Sequence, residues 1–282
     1  MEGPSSPKSP LDCDASLDSD SDDIDDGGGF QYGYHMHVWP CALVLSSFME
    51  INPLLFKGKR VLEVGCGMAL NGVLARQLGA ERVYVGDLDH VIQGLPSIMD
   101  SKGVPFSLDL GDIDNAVVGV QLPWMDLTCI NRFLDALEAL DKDPIDTFDA
   151  SGKHSALGTG DNSRLLINRV EKAKITNLDS KASTATEMLE KRPAIEMIIA
   201  SDVLYSPDEF DRVLGTIALL LTRSPDTTVY MTYQERSARR SIASLLEFWD
   251  LVAGPITPTL NPVFTHMVTS AEIHLFEIRI AK

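Results

Sequence analysis

Several things are scarce in this sequence. Its four cysteines, Cys13, Cys41, Cys66 and Cys129, lie far apart with no CxxC pair. That rules against a zinc site or a disulfide framework and fits a reducing compartment. Basic residues are also few, 24 Lys and Arg against 41 Asp and Glu, for a formal charge of −17. Binding a nucleic-acid phosphate backbone needs a clustered basic face, so no direct nucleic-acid contact is expected. The acidity suits a basic protein substrate, and equally it suits simple solubility. No stretch approaches ~18 uninterrupted apolar residues, so no membrane span is expected. No apolar h-region follows the first residues, so no secretory signal is expected. The six histidines are scattered, and His35 and His37 have no third ligand beside them. No metal is expected.

What is present divides the chain unevenly. Residues 1–29 hold Glu2 and eight aspartates against Lys8, among Pro, Ser and Gly with almost nothing to bury. Such a segment cannot offset its ordering entropy and is expected to be a disordered acidic tail. Residues 30–282 form one domain, interrupted by a polar, aperiodic stretch at about 141–184 that is too long for an ordinary loop and is expected to be a mobile insertion. Elsewhere the patterning alternates. "HVWPCALVLSSFMEIN", "ALNGVLARQLGA", "MDLTCINRFLDALEALD", "SPDEFDRVLGTIALLLTR" and "SARRSIASLLEFWDL" carry helical spacing. "DHVIQGLPSIMDSKG" is helix-like but broken by Gly94 and Pro96. "RVLEVG", "RVYVGD", "AVVGVQL", "AIEMIIASDVLY", "TTVYMTYQ" and "EIHLFEIRIAK" are strands. Strand and helix in alternation predict a doubly wound α/β sheet. The last strand has no crossover helix before it, so it is expected to enter antiparallel.

The chemistry centres on "RVLEVGCGMALNG", Arg60 to Gly72. A P-loop needs GxxxxGK[ST], but Val73 and Leu74 follow Gly72, so no Lys reaches a phosphate. A dinucleotide site needs GxGxxG, and the third glycine position is Leu70. A nucleoside ligand without phosphates remains, and S-adenosylmethionine fits. Gly65 and Gly67 let the backbone approach it, and the following helix turns its positive end to the ligand carboxylate. Glu63 is placed to reach the ammonium, directly or through water. Asp87, at the end of the next strand, is placed to accept both ribose hydroxyls.

With these residues the chain resembles the seven-strand S-adenosylmethionine-dependent methyltransferases, whose first motif and second strand look like "VLEVGCG…GAERVYVGD". "VWPCALVLSSF", "ASDVLYSPDEFDRVL", "TYQERS…LLEFWDL" and the closing "FEIRIAK" are similar to the methyltransferase-like group within them. The resemblance runs from about Tyr34 to Lys282, except between about Pro105 and Pro193. It implies a Rossmann-like seven-strand sheet with the last strand antiparallel. It also implies a protein N-methyltransferase acting on lysine or, in the most similar branch, on arginine of histone H3 tails. A monomer in the cytoplasm and nucleus is expected.

The resemblance also assigns residues. Asp202 is the acid of its DxxY element, at the carboxyl end of a strand where ligands meet the sheet edge, and Tyr205 is its partner. These two are the candidate catalytic residues. Trp39, Glu63, Gly65, Gly67, Asp87, Trp124 and Ser201 are the candidate cofactor-binding residues. Trp124 follows the third strand, where relatives place a Trp over the adenine; "LDLGD", Leu108 to Asp112, competes for that loop. Asp208 and Glu209 either surround a cationic acceptor or favour a helix start. "YQER", Tyr233 to Arg236, either lines an acceptor channel or opens a helix. A docking module that keeps the fold but not the reaction, and a small-molecule methyltransferase, are the alternatives.

Overall fold

The computed structural model describes residues 36–112, 116–141, 193–236, 241–262 and 273–281. The expected acidic tail at 1–29 lies outside the described residues, as does all of the expected insertion but its first residue, Asp141. Eight strands among the described residues form one sheet: β1 (Arg60–Val64), β2 (Arg82–Asp87), β3 (Phe106–Ser107), β4 (Val117–Gln121), β5 (Met197–Ser201), β6 (Thr228–Gln234), β7 (Leu251–Ile256) and β8 (Ile273–Ile280). The order is β3-β4-β2-β1-β5-β6-β8-β7. β8 runs antiparallel to both β6 and β7, and the pairs from β3 through β6 are parallel. The expected antiparallel entry of the last strand is therefore present.

The helices are α1 (Pro40–Ile51), α2 (Leu70–Gln77), α3 (Asp89–Ser101), α4 (Leu127–Asp141), α5 (Phe210–Arg223) and α6 (Ala243–Phe248). Successive side chains of a strand point to opposite faces, and β1 shows what that does here. Val61 joins a core with Leu45, Phe48 and Met49 of α1 and Ile92, Leu95 and Met99 of α3. Leu62 and Val64 join a second core with Phe133, Leu134 and Leu137 of α4 and Val213, Leu214 and Ile217 of α5. All five residues of β1 are buried, Arg60 and Glu63 included. Two covered faces are the mark of a parallel, doubly wound sheet.

Three local expectations change. Gly94 and Pro96 do not break α3, which runs through both. Burial of Val91, Ile92, Leu95 and Met99 on one stripe outweighs the lost N–H and the poor propensity of two residues. The helix expected through Leu251 stops at Phe248. Asp250, in a left-handed turn at φ 52°, then redirects the chain into β7, which local patterning did not announce. β3, only two residues long, extends the sheet beyond the expected seven strands.

Candidate active site

The strand order reverses between β1 and β5: the chain winds one way through β2 and β4 and the other through β5 and β6. A crevice opens at such a point, at the carboxyl ends of the strands. The turn after β1, Asp87 at the end of β2, Trp124 after β4, Ser201 and Asp202 at the end of β5, and Arg236 after β6 all lie on that edge.

The turn is held tightly. Gly65 and Cys66 both donate their N–H to the Gly86 carbonyl, at 2.8 and 3.1 Å. Gly65 sits at φ 67° and Gly67 at φ 47°, where a side chain would strain the backbone. A Cβ on Gly65 would stand 2.6 Å from Val203 Cγ1 and 3.0 Å from the Trp124 ring. The indole of Trp124 thus lies directly against the glycine turn. "LDLGD" lies beside β4 instead, with Asp109 Oδ1 accepting from the Gly111 N–H at 2.8 Å. Of the two competitors, the structure brings Trp124 to the turn.

Asp87 does more than face outward. Its Oδ2 accepts the Gly67 N–H at 2.9 Å and its Oδ1 the Leu88 N–H at 2.7 Å. The half-buried carboxylate therefore staples the glycine turn to the end of β2.

Glu63 is placed differently from its expectation. It is 1 % exposed, with Oε2 accepting the Gly72 N–H at 2.7 Å and Oε1 facing Asn71 Nδ2 at 3.4 Å. The first turn of α2 has unsatisfied N–H donors, and Gly72 admits the carboxylate: a Cβ there would lie 2.9 Å from Glu63 Oε2 and 2.5 Å from Val85 Cγ1. Burial pushes the carboxyl up to about 8; the Gly72 and Asn71 hydrogen bonds partly oppose this and the nearby Asp87 charge adds to it.

Asn71 was not singled out in the sequence, yet it is fully buried and central. Its Oδ1 accepts from Ser46 Oγ of α1 at 2.9 Å, and its Nδ2 faces Ser201 Oγ at 3.4 Å as well as Glu63. One amide thus ties α1, α2, β1 and β5 together beneath the turn. The only signal was a polar residue next to glycine at the start of a helix, which reads more readily as turn chemistry.

Asp202 follows β5 in the left-handed region, at φ 54°. Its N–H donates to the Thr232 carbonyl at 3.0 Å. Its side chain is 4 % exposed and its Oδ2 accepts from Arg236 Nη2 at 2.7 Å. Oδ1 is buried and has no hydrogen-bond partner among the described residues. The Cys41 thiol lies beside this carboxylate and is pushed well up, by burial first, then by the Asp202 charge and by a hydrogen bond to the Asp202 side chain. Thr232 Oγ1 donates to the Cys41 carbonyl at 3.0 Å, fixing the start of α1 to β6. Trp39 caps α1 two residues earlier, half-buried, with its ring 4.7 Å from His37 in edge contact. Tyr205 is 54 % exposed on the loop beyond Asp202. Glu209 pairs with Arg212 at 3.3 Å on the surface of α5, while Asp208 lies in the middle of the 3-10 turn before that helix. Of "YQER", Arg236 reaches Asp202, Glu235 bonds His274 at 3.2 Å, and Tyr233 is buried against Phe210.

Among the described residues no three His, Cys, Asp or Glu side chains cluster as a metal site would. No family model matches the chain. It is 29 % identical over 221 residues to the histone-arginine methyltransferase METTL23 of Xenopus laevis, an alignment covering 78 % of this chain and 65 % of that protein. With the Homo sapiens protein of the same name it shares 26 % identity over 216 residues, 77 % of this chain and 79 % of that one. A shorter stretch of 58 residues, 21 % of this chain and 26 % of the relative, is 49 % identical to the protein N-lysine methyltransferase METTL21A of Danio rerio. The chain thus spans from 60 to 79 % of the length of the METTL23 relatives it matches.

Proposed function

A homologue of the histone-arginine methyltransferases named METTL23, the chain is, we propose, an S-adenosylmethionine-dependent protein N-methyltransferase. Its proposed acceptor is an arginine side chain of a basic, histone H3-like tail, and its proposed place of work is the cytoplasm and nucleus. One observation carries the reading. A glycine turn covered by an indole and a buried carboxylate facing a guanidinium share one sheet edge, at the point where strand order reverses.

S-adenosylmethionine supplies an electrophilic methyl on a sulfonium when bound. The work left to the chain is alignment and charge. Gly65 and Gly67 leave room for close backbone approach, and Asp87, at the end of β2, accepts from the ribose hydroxyls. Trp124, whose ring lies against Gly65, forms the wall for the adenine. Glu63, Asn71 and Ser201 hold this floor from below, and Trp39, at the start of α1, is the further proposed cofactor residue. Asp202 orients the acceptor nitrogen, and Tyr205 stands at the entrance. The buried Asp202 carboxylate suits a guanidinium acceptor. The METTL21A match favours a lysine reading as runner-up, in which the acceptor arrives as a neutral amine.

The test is a paired one on the full chain. Calorimetric titration should show binding of S-adenosylmethionine and not of NAD, and labelled methyl should enter histone or lysate protein at arginine, read by mass spectrometry. Binding of NAD in place of S-adenosylmethionine would overturn the cofactor assignment. Cofactor binding without any methyl incorporation would leave a docking module.

A further inference from the structure

We infer that Arg236 occupies, as an internal guanidinium, the carboxylate that an acceptor arginine takes during methylation, and thereby sets the selectivity of the site for arginine. This rests on the methyltransferase reading above and adds to it a specificity-determining residue.

The pair is incomplete as it stands. Arg236 meets Asp202 through a single contact, Nη2 to Oδ2 at 2.7 Å, and leaves Oδ1 buried without a partner among the described residues. A guanidinium can present two parallel N–H groups to a carboxylate, and that fork is the stronger arrangement. A buried acceptor left unmade is costly. The chain itself shows the complete alternative. At the opposite edge of the sheet Asp141 accepts from Arg60 on one oxygen, at 2.6 Å, and from Arg82 on the other, at 2.9 Å. Asp202 has half of that.

Exchange is feasible on charge and on access. Replacing one guanidinium by another leaves the enclosed carboxylate balanced at every stage, whereas removing Arg236 with nothing in its place would strand a buried charge. Arg236 is the outer member of the pair, its side chain 29 % exposed against 4 % for Asp202. It stands two residues beyond β6, outside the regular hydrogen-bond ladder that would hold its backbone fixed. Asp202, by contrast, is fixed by its N–H bond to Thr232 and its left-handed backbone. The carboxylate stays while the arginine leaves. An incoming arginine can present the two-pronged contact that Arg236 does not make. A lysine amine brings one point contact and no fork, so it displaces Arg236 poorly.

The experiment uses the full chain with S-adenosylhomocysteine bound and methylguanidinium as the probe, with Arg236→Gln and Arg236→Lys beside the wild type. An internal competitor lowers apparent affinity by the fraction of sites it holds closed. Arg236→Gln should therefore bind methylguanidinium on the order of tenfold more tightly, and Arg236→Lys by an intermediate amount. Methylammonium affinity should change less. In methyl transfer to histone the same variants should lower KM and leave kcat near wild type. Equal methylguanidinium affinity in all three proteins would overturn the inference. A lower kcat at unchanged KM would overturn it too, making Arg236 a residue that merely positions Asp202. If Arg236→Gln fails to fold, Arg236→Lys alone decides, since it keeps the charge beside Asp202 and replaces only the single Nη2 contact. The binding arm needs no turnover, so absence of methylation would count against the proposed function and not against this exchange.

Discussion

The two edges of the sheet treat buried charge in opposite ways. At the amino edge, Asp141 at the end of α4 is bonded on both oxygens by Arg60 and Arg82, with Glu81 3.9 Å from each arginine. Lys59 and the Arg60 N–H hold Glu196 on both of its oxygens. Arg60 Nη1 also reaches the Pro193 carbonyl at 3.4 Å, so one arginine ties together the two residues that flank 142–192. At the carboxyl edge, Asp202 has one arginine and an orphan oxygen. Glu63 is buried with its carboxyl pushed up to about 8, and four backbone positions, Gly65, Gly67, Ala69 and Asp202, lie at positive φ. Arg60 Nε and the Tyr84 hydroxyl at the amino edge are also buried without a hydrogen-bond partner, so the edges differ in their carboxylates, and carboxylates bonded on both oxygens fix a fold. Incomplete ones, kept beside strained backbone, are where a protein stores capacity for a ligand.

The contrast is sharpest in the two aspartates, and substituting each by asparagine is the strongest test. Asp202→Asn keeps the shape and removes the charge. Losing one charge-assisted contact in a water-poor site should raise the barrier by ~2.7–4 kcal/mol, a rate loss on the order of 100- to 1000-fold, with cofactor affinity nearly unchanged by titration. Equal losses of activity and cofactor affinity would make Asp202 a cofactor or structural residue. Asp141→Asn should reverse that profile. It leaves two arginines with Glu81 at 3.9 Å as their remaining carboxylate, costing about 3 kcal/mol and lowering Tm on the order of 10 °C, while S-adenosylmethionine affinity stays at wild type. A thermal melt and a titration on one sample separate the two.

Asp87→Ala comes next. It removes the expected ribose acceptor and the staple on Gly67, so cofactor binding should weaken roughly 10- to 100-fold, from ~1.5–3 kcal/mol of charge-assisted hydrogen bonding. Unchanged calorimetric affinity would remove it from the cofactor site.

Glu63 gives a smaller, pH-dependent effect. Its carboxyl is raised from 4.5 to about 8 in the folded protein, so the folded state keeps a proton that the unfolded chain releases. The stability this contributes is fully present below the ordinary carboxylate range and is lost as pH rises through about 8. Glu63→Gln should flatten that slope in melts taken from pH 5 to 9, while leaving the Asp141 network untouched. An identical slope in both proteins would place the titration elsewhere.

Truncation should have the smallest effect. Both residues flanking 142–192 sit at the amino edge on Arg60. Replacing that segment by a short Gly-Ser linker should therefore leave S-adenosylmethionine affinity unchanged. Removing 1–29 should leave Tm unchanged. A large loss of cofactor affinity on excising 142–192 would show that the two edges communicate.

Much of this molecule was legible in one dimension. Five helices stood out through apolar spacing, and the strands β1, β2, β4, β5, β6 and β8 through short apolar runs, because both patterns are set within a few residues. The glycine turn was legible because positive φ selects glycine locally. Asp87 was legible because it ends a strand in register with that turn. β7 was not legible: its burial pattern is mostly half-exposed, and it exists because β8 pairs with it. Nor was the continuity of α3, which the sheet beneath it enforces against Gly94 and Pro96.

The site divides in the same way. The sequence by itself determined a turn able to approach a nucleoside, an acid at the end of the second strand, and an Asp at the end of β5. Only the tertiary structure decided that Glu63 faces α2, that Asn71 joins four elements, that Arg60 ties the two flanks of 142–192, and that Arg236 lies on Asp202. The reason is physical. Periodicity and turn chemistry act between neighbours in the chain, whereas a buried charge finds its partner through strand order, across 34 positions for Asp202 and Arg236 and 81 for Arg60 and Asp141.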